Sequence, residues 1–187
     1  MFHLPTAFSF TAALERHWQA VRDEYLGVCD ALMDWPERQL YGEGWKVFGL
    51  FDLPHGRPIQ ANVARCPVTA ELVAKHMPTH HAAGFSVMKP GTRIRPHVGY
   101  QGDLLRCHLG LEVPAGDCAL RVGGETRQWQ PGRVLVFDDH FIHEAWNLTD
   151  EDRAILLIDF VPSQIGSSKG NDDGKRDATP AASRSES

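Results

Sequence analysis

Two histidines and an arginine stand where their side chains could act together. The segment Arg93-Ile94-Arg95-Pro96-His97-Val98-Gly99 reads as a strand whose alternation puts Arg93, Arg95, His97 and Gly99 on one face. A lone histidine on a strand is more often structural or exposed than catalytic. A second one, however, has a matching context: His143 follows the apolar run Val134-Leu135-Val136-Phe137 after a turn, and Arg153 then opens the apolar strand Ala154–Val161. Two imidazoles with open coordination positions suit a redox iron that must also admit a co-substrate and dioxygen. A guanidinium deeper in the pocket suits a carboxylate, because its planar fork pairs with both oxygens. The usual iron triad also needs a carboxylate two residues after the first histidine, and that position here is Gly99.

A third histidine comes with another arginine. Along Leu104–Val113, Leu105, Cys107, Leu109, Leu111 and Val113 alternate with Arg106, His108, Gly110 and Glu112. In a half-exposed strand that polar face meets solvent; in a barrel with a filled interior it looks into the pocket, and period alone does not choose. The stretch KHMPTHHAAG, with His76, His80 and His81, reads as an exposed connection between a helix and a strand. Asp138 and Asp139 are adjacent, so a strand would send them to opposite faces; one could orient a ligand, although turn stabilisation is the commoner use. Trp129 and Trp146 read as packing residues.

The elements that must position these groups follow from periodicity. Leu14, Trp18, Val21, Tyr25, Val28 and Leu32 recur in steps of four and three, which predicts a helix face starting at Ser9 or Thr11 and ending at the Trp35-Pro36 step. A shorter helix is expected over Val68–Met77, with Pro67 in its first turn. From Trp45 on, strands are expected at Lys46–Asp52, Gly84–Lys89, Arg93–Gly99, Leu104–Val113, Asp117–Val122, Arg133–Phe137, His143–Asn147 and Ala154–Val161, separated by Gly/Pro turns. That grammar indicates a mainly β sandwich or barrel with the N-terminal helix docked on a sheet.

The 187 residues suffice for one domain, with a helical part over 9–42 and a barrel over 45–162. The polar, Gly/Ser-rich stretch 163–187 is expected to be a disordered tail. A net charge of -5 with no Lys/Arg-rich run argues against a nucleic-acid partner. No apolar run has the length of a membrane span and the N-terminus has no signal-peptide pattern, so a cytoplasmic location is expected. The four cysteines form no CxxC pair and read as small buried apolar residues.

Four blocks then occur in order: FSVMKPGTRIRPHVG, LRCHLGLEVP, ETRQWQPGRVLVFDDHFIHEAW and Arg153. In these, from about Trp45 to Val161, the sequence resembles the aspartyl/asparaginyl β-hydroxylase family of iron/2-oxoglutarate oxygenases. The resemblance implies a double-stranded β-helix, the jelly-roll or cupin-like barrel. It implies that His97 and His143 hold Fe(II) without a triad carboxylate, since the family has Gly where Gly99 stands. It further implies that Arg153, Ser86 and His108 bind 2-oxoglutarate, with Arg106 near the substrate and co-substrate carboxylates. The implied reaction consumes O2 and 2-oxoglutarate, hydroxylates an unactivated carbon, and releases succinate and CO2.

The chain resembles a compact single-domain member, without the helical repeats of large eukaryotic ones. An aspartyl, asparaginyl or similar small amino-acid or peptide substrate is the first expectation, and a carrier-bound or lipid acyl group the alternative. A two-histidine site could also admit halide where the carboxylate is missing, which would make a halogenase. A cupin-like binding module would need an HxH cluster, which His97-Val98-Gly99 does not supply. A non-catalytic barrel would have no use for both histidines and Arg153.

Overall fold

The computed structural model describes residues 1–99 and 103–162, and the tail expected over 163–187 lies outside the described residues. Three α-helices are among them: α1 (Thr11–Leu26), α2 (Gln60–Val63) and α3 (Pro67–His76). The strands are β1 (Phe2–His3), β2 (Met33–Asp34), β3 (Trp45–Phe51), β4 (His80–Met88), β5 (Thr92–His97), β6 (Leu105–Glu112), β7 (Cys118–Val122), β8 (Glu125–Arg127), β9 (Val134–Asp138), β10 (His143–Asn147) and β11 (Arg153–Phe160). They form a larger sheet in the order β1-β9-β6-β11-β4-β3-β2 and a smaller one in the order β5-β10-β7-β8.

Both faces of the larger sheet are buried, for different reasons. Its outer face (Phe85 and Val87 of β4, Cys107 and Leu109 of β6, Leu156 and Ile158 of β11) packs on Leu14, Val21 and Tyr25 of α1. Its inner face meets the smaller sheet, where Trp45, Met88, Phe137 and Ile155 share a core with Ile94, Leu120, Val122 and Ala145. This is the two-sheet jelly roll, and the alternation of β6 therefore sends Arg106 and His108 inward.

Helix α1 is shorter than its apolar spacing suggests. Gly27, a poor helix former, ends it; its N–H closes on the Asp23 carbonyl at 3.1 Å, and Val28 leaves the helical region. Val28 keeps the phase of the stripe because the 3-10 turn Cys29–Ala31 packs on the same core. Helix α3 matches its expected span, and Glu24 of α1 caps its start by accepting from the Val68 and Thr69 N–H groups (2.7 and 2.8 Å) and the Thr69 hydroxyl (2.6 Å).

Two further expectations are corrected. The histidine-rich stretch is not an exposed connection: β4 starts at His80, and its backbone pairs with β11 as far as Phe160. A strand flanked on both sides continues wherever its N–H and C=O groups find partners, whatever its composition. Cys66, Cys107 and Cys118 are buried as expected, but Cys29 is exposed in the turn that Gly27 forces.

Candidate functional site

His97 reaches the site through a break in the alternation. Opposite it, β10 uses two residues from His143 to Ala145 where β5 uses three from Ile94 to His97, so β5 carries a bulge. Pro96, with no N–H to give the ladder, lies inside it. Thr92 and Ile94 point inward and Arg93 and Arg95 are exposed, so Arg93, Arg95 and His97 do not share a face. The bulge turns His97 back toward His143, and the two ring centroids lie 4.2 Å apart.

Hydrogen bonds sort the histidines by tautomer. Nδ1 of His97 donates to the Arg95 carbonyl at 2.8 Å, and Nδ1 of His143 donates to the Phe141 carbonyl at 3.0 Å. A carbonyl only accepts, so each Nδ1 carries a proton, and in the neutral ring Nε2 is the nitrogen with the lone pair. Nε2 of His143 is buried and without a hydrogen-bond partner. His108 is the reverse: its Nδ1 accepts from the Trp129 indole N–H at 3.2 Å, which leaves the proton on Nε2, again buried and unpartnered. Burial, with Arg106 and Arg153 nearby, holds the His108 pKa well below its ordinary value; burial and then His97 lower that of His143 to about 3.

Around the histidine pair lies a buried ionic group. Arg106 donates through Nε and Nη2 to the Asp159 carboxylate, at 2.6 and 3.0 Å, and its Nη2 is 3.1 Å from Asp139. Asp139 is 3.8 Å from His143 Nε2, and burial raises its pKa against the opposing pull of Arg106. A Cβ built on Gly99 would fall 1.8 to 2.0 Å from the Asp139 carboxyl atoms. Asp139 thus fills the space that a side chain at position 99 would need. Asp138, its neighbour, stabilises the turn by accepting from the His140 N–H at 2.9 Å.

At the other end of β11, Arg153 is fully buried between β4 and β6. Its guanidinium lies 4.5 Å from the Trp129 ring centroid and donates to the Ser86 carbonyl at 3.2 Å, while its Nε has no partner. Among the described residues no carboxylate pairs with it, and burial lowers its pKa to about 10. The Ser86 hydroxyl accepts from the Trp45 indole N–H at 2.9 Å and so keeps its own proton to donate. Trp129, which reads as packing in the sequence, holds both Arg153 and His108; nothing in the spacing of residues marks an indole N–H as doing so.

All six candidates (Ser86, His97, Arg106, His108, His143 and Arg153) lie on the elements that enclose the inter-sheet space. Two imidazoles whose Nδ1 atoms are taken by backbone carbonyls leave Nε2 as the coordinating atom, and rings oriented in this way suit a divalent transition metal. Among the described residues no cluster of three or more His, Cys, Asp or Glu side chains could hold a metal ion. A buried cation without an anion, beside a hydroxyl and an imidazole N–H, suits a carboxylate.

A sequence model of the aspartyl/asparaginyl beta-hydroxylase family matches residues 15–162. The aspartyl/asparaginyl beta-hydroxylase of Mus musculus is 37% identical over 155 residues, covering 79% of this chain and 21% of that protein. The ornithine lipid ester-linked acyl 2-hydroxylase of Rhizobium tropici is 36% identical over 165 residues, covering 82% of this chain and 58% of that protein. The chain thus spans about a fifth of the first relative and somewhat over half of the second. A prolyl-4-hydroxylase from Pseudomonas putida has a similar fold, with a TM-score of 0.50 at 16% identity over 78% of this chain and 88% of that one.

Proposed function

The chain belongs to the aspartyl/asparaginyl beta-hydroxylase family, and we propose that it is an Fe(II)/2-oxoglutarate-dependent hydroxylase with His97 and His143 as its iron ligands. The sorting of tautomers carries this reading: two histidines offer Nε2 atoms toward one another, while His108 and Arg153, both held by Trp129, offer N–H donors. Arg153, the Ser86 hydroxyl and His108 Nε2–H together receive the far carboxylate of 2-oxoglutarate. Trp129 and Trp45 keep those donors aimed, and the apolar residues around them exclude water. Bound iron would supply dioxygen activation, with 2-oxoglutarate as reductant, so that one oxygen atom enters a substrate C–H bond and the other enters succinate as CO2 leaves.

We favour hydroxylation over the halogenase alternative. It needs open space beside Gly99, and the Asp139 carboxylate occupies that space and repels an anion. As substrate we infer either an aspartyl, asparaginyl or similar amino-acid unit or an acyl chain, the two classes named by the relatives.

Anaerobic titration of Fe(II) with 2-oxoglutarate tests the reading through the weak visible charge-transfer band of the chelate. The wild type should develop the band, and His97→Ala, His143→Ala and Arg153→Ala should lose or weaken it. An unchanged band in those variants, or substrate turnover without 2-oxoglutarate, overturns the assignment.

A further inference from the structure

On the β3–β4 side, the inner face of the larger sheet borders a cavity of about 210 Å³ instead of a facing strand. Val47, Phe51, Leu53, Ala82 and Leu157 line it, Trp35 closes one side, and no residue of the smaller sheet contributes. Of its two polar side chains, only Ser86 keeps a donor, its hydroxyl. Ser86 accepts from the Trp45 indole, and both Asp159 oxygens accept from Arg106. An amide or carboxylate placed there would lose its water without gaining a charged partner.

This cavity shares Trp35 with a smaller one that reaches His97. Trp35, stacked on Trp45 with centroids 4.3 Å apart and planes 5° apart, also lines a smaller cavity of about 60 Å³ whose other walls include His97, Gly99 and Arg106. A molecule could therefore leave an apolar part behind Trp35 and present the adjoining carbon near His97. An aspartyl side chain is too short and too polar to use the larger space. A saturated chain gains from every methylene it removes from water.

We propose that the larger cavity holds the alkyl chain of an acyl substrate, with the carboxyl-derived end of the chain passing Trp35 toward His97. This inference rests on the hydroxylase reading and narrows its substrate class to acyl chains. The fit is to the chain itself, whether it arrives as a free acid, a lipid ester or a carrier thioester.

The test reads binding in metal-free protein without 2-oxoglutarate, so its failure is separate from failure of the oxygenase chemistry. Hexanoate, octanoate and undecanoate, each brominated at the far end, are titrated while tryptophan emission is followed. Quenching should saturate, with the Kd falling about fourfold per added methylene until the cavity is full. Ala82→Phe, which fills the cavity from β4, should abolish that length dependence; Val47→Phe does the same from β3 if the first variant fails to fold by circular dichroism. Competition by the same chain as a free acid, a lysolipid ester and a pantetheine thioester identifies the source of the acyl group. A Kd independent of chain length, wild-type binding by the folded filled-cavity variants, or tighter binding of a short peptide with an apolar side chain overturns the proposal.

Discussion

Replacing Arg153 by Met should separate stability from co-substrate binding. Burial brings the Arg153 pKa from 12.5 to about 10, which corresponds to about 3 kcal/mol against the charged form in the folded chain. The Trp129 ring and the Ser86 carbonyl return about 2 kcal/mol of this between them. Met keeps most of the apolar volume and removes the charge. Ligand-free Arg153→Met should therefore match the wild type or exceed it by about 1 kcal/mol, a rise in Tm of about 2–4 °C. With 2-oxoglutarate the order should reverse. At a hundred times its Kd the ligand adds about 2.7 kcal/mol to the wild type, and it should add almost nothing to the variant. Urea and thermal melts with and without 2-oxoglutarate measure all four states. A ligand-free Arg153→Met less stable by more than about 2 kcal/mol, or an equal gain of both proteins from the ligand, would refute this role for Arg153.

Three more expectations follow from the same geometry. Trp129→Phe removes the N–H that fixes His108 while keeping a ring beside Arg153, so the Kd for 2-oxoglutarate should rise about tenfold and the 15N shifts of His108 should show a tautomer mixture; an unchanged spectrum refutes the link. The folded chain keeps His108 and His143 neutral while the unfolded chain protonates both below about pH 6.5, so the unfolded state binds more protons as pH falls. Metal-free protein should therefore lose about 2 kcal/mol between pH 7 and 5.5 in urea titrations, and constant stability over that window would contradict the buried neutral pair. Gly99→Asp should cost about 2 kcal/mol by collision with Asp139, and adding Asp139→Gly should recover most of it; a single variant that melts like the wild type would mean that Asp139 yields freely.

What the sequence shows and hides can be followed along two strands. On β6 alternation holds from Leu105 to Gly110, so Arg106 and His108 share a face, and a second sheet makes that face internal. A bulge between Gly110 and Glu112 then breaks it, and Val113 packs with the inner core instead of with Leu111 on the outer one. On β5 the same rule groups His97 with Arg93 and Arg95, which the structure separates. A bulge is one residue of extra backbone, and neither hydrophobic period nor residue type locates it unambiguously, although Pro96 marks where the ladder could fail. The histidine tautomers lie further out of reach. They are set by the Arg95 and Phe141 carbonyls and by an indole N–H from Trp129, contacts that exist only once the turn, the bulge and the barrel have formed. Strands β1, β2 and β8 have two or three residues each, too few for any period to register.

The two buried arginines explain how an enclosed space can receive a cation and an anion at different ends. Arg106 stands against two carboxylates, Asp139 and Asp159, whereas Arg153 stands against none among the described residues. Arg153 and Asp159 occupy opposite ends of β11, about 20 Å apart at the rise of a strand. With His97 and His143 kept as lone-pair donors, the Arg106 end has more carboxylate than guanidinium and the Arg153 end has guanidinium alone. A divalent cation therefore lowers its energy at the histidine pair, and a carboxylate lowers its energy at Arg153. On the proposed function, a two-headed acid entering between the sheets would be turned by that field, one head toward Arg153 and the other toward a metal held by His97 and His143. Placing the carboxylate on Asp139 instead of at position 99 keeps this polarity, because the negative charge stays beside the histidines while Arg106 ties it to the wall of the barrel.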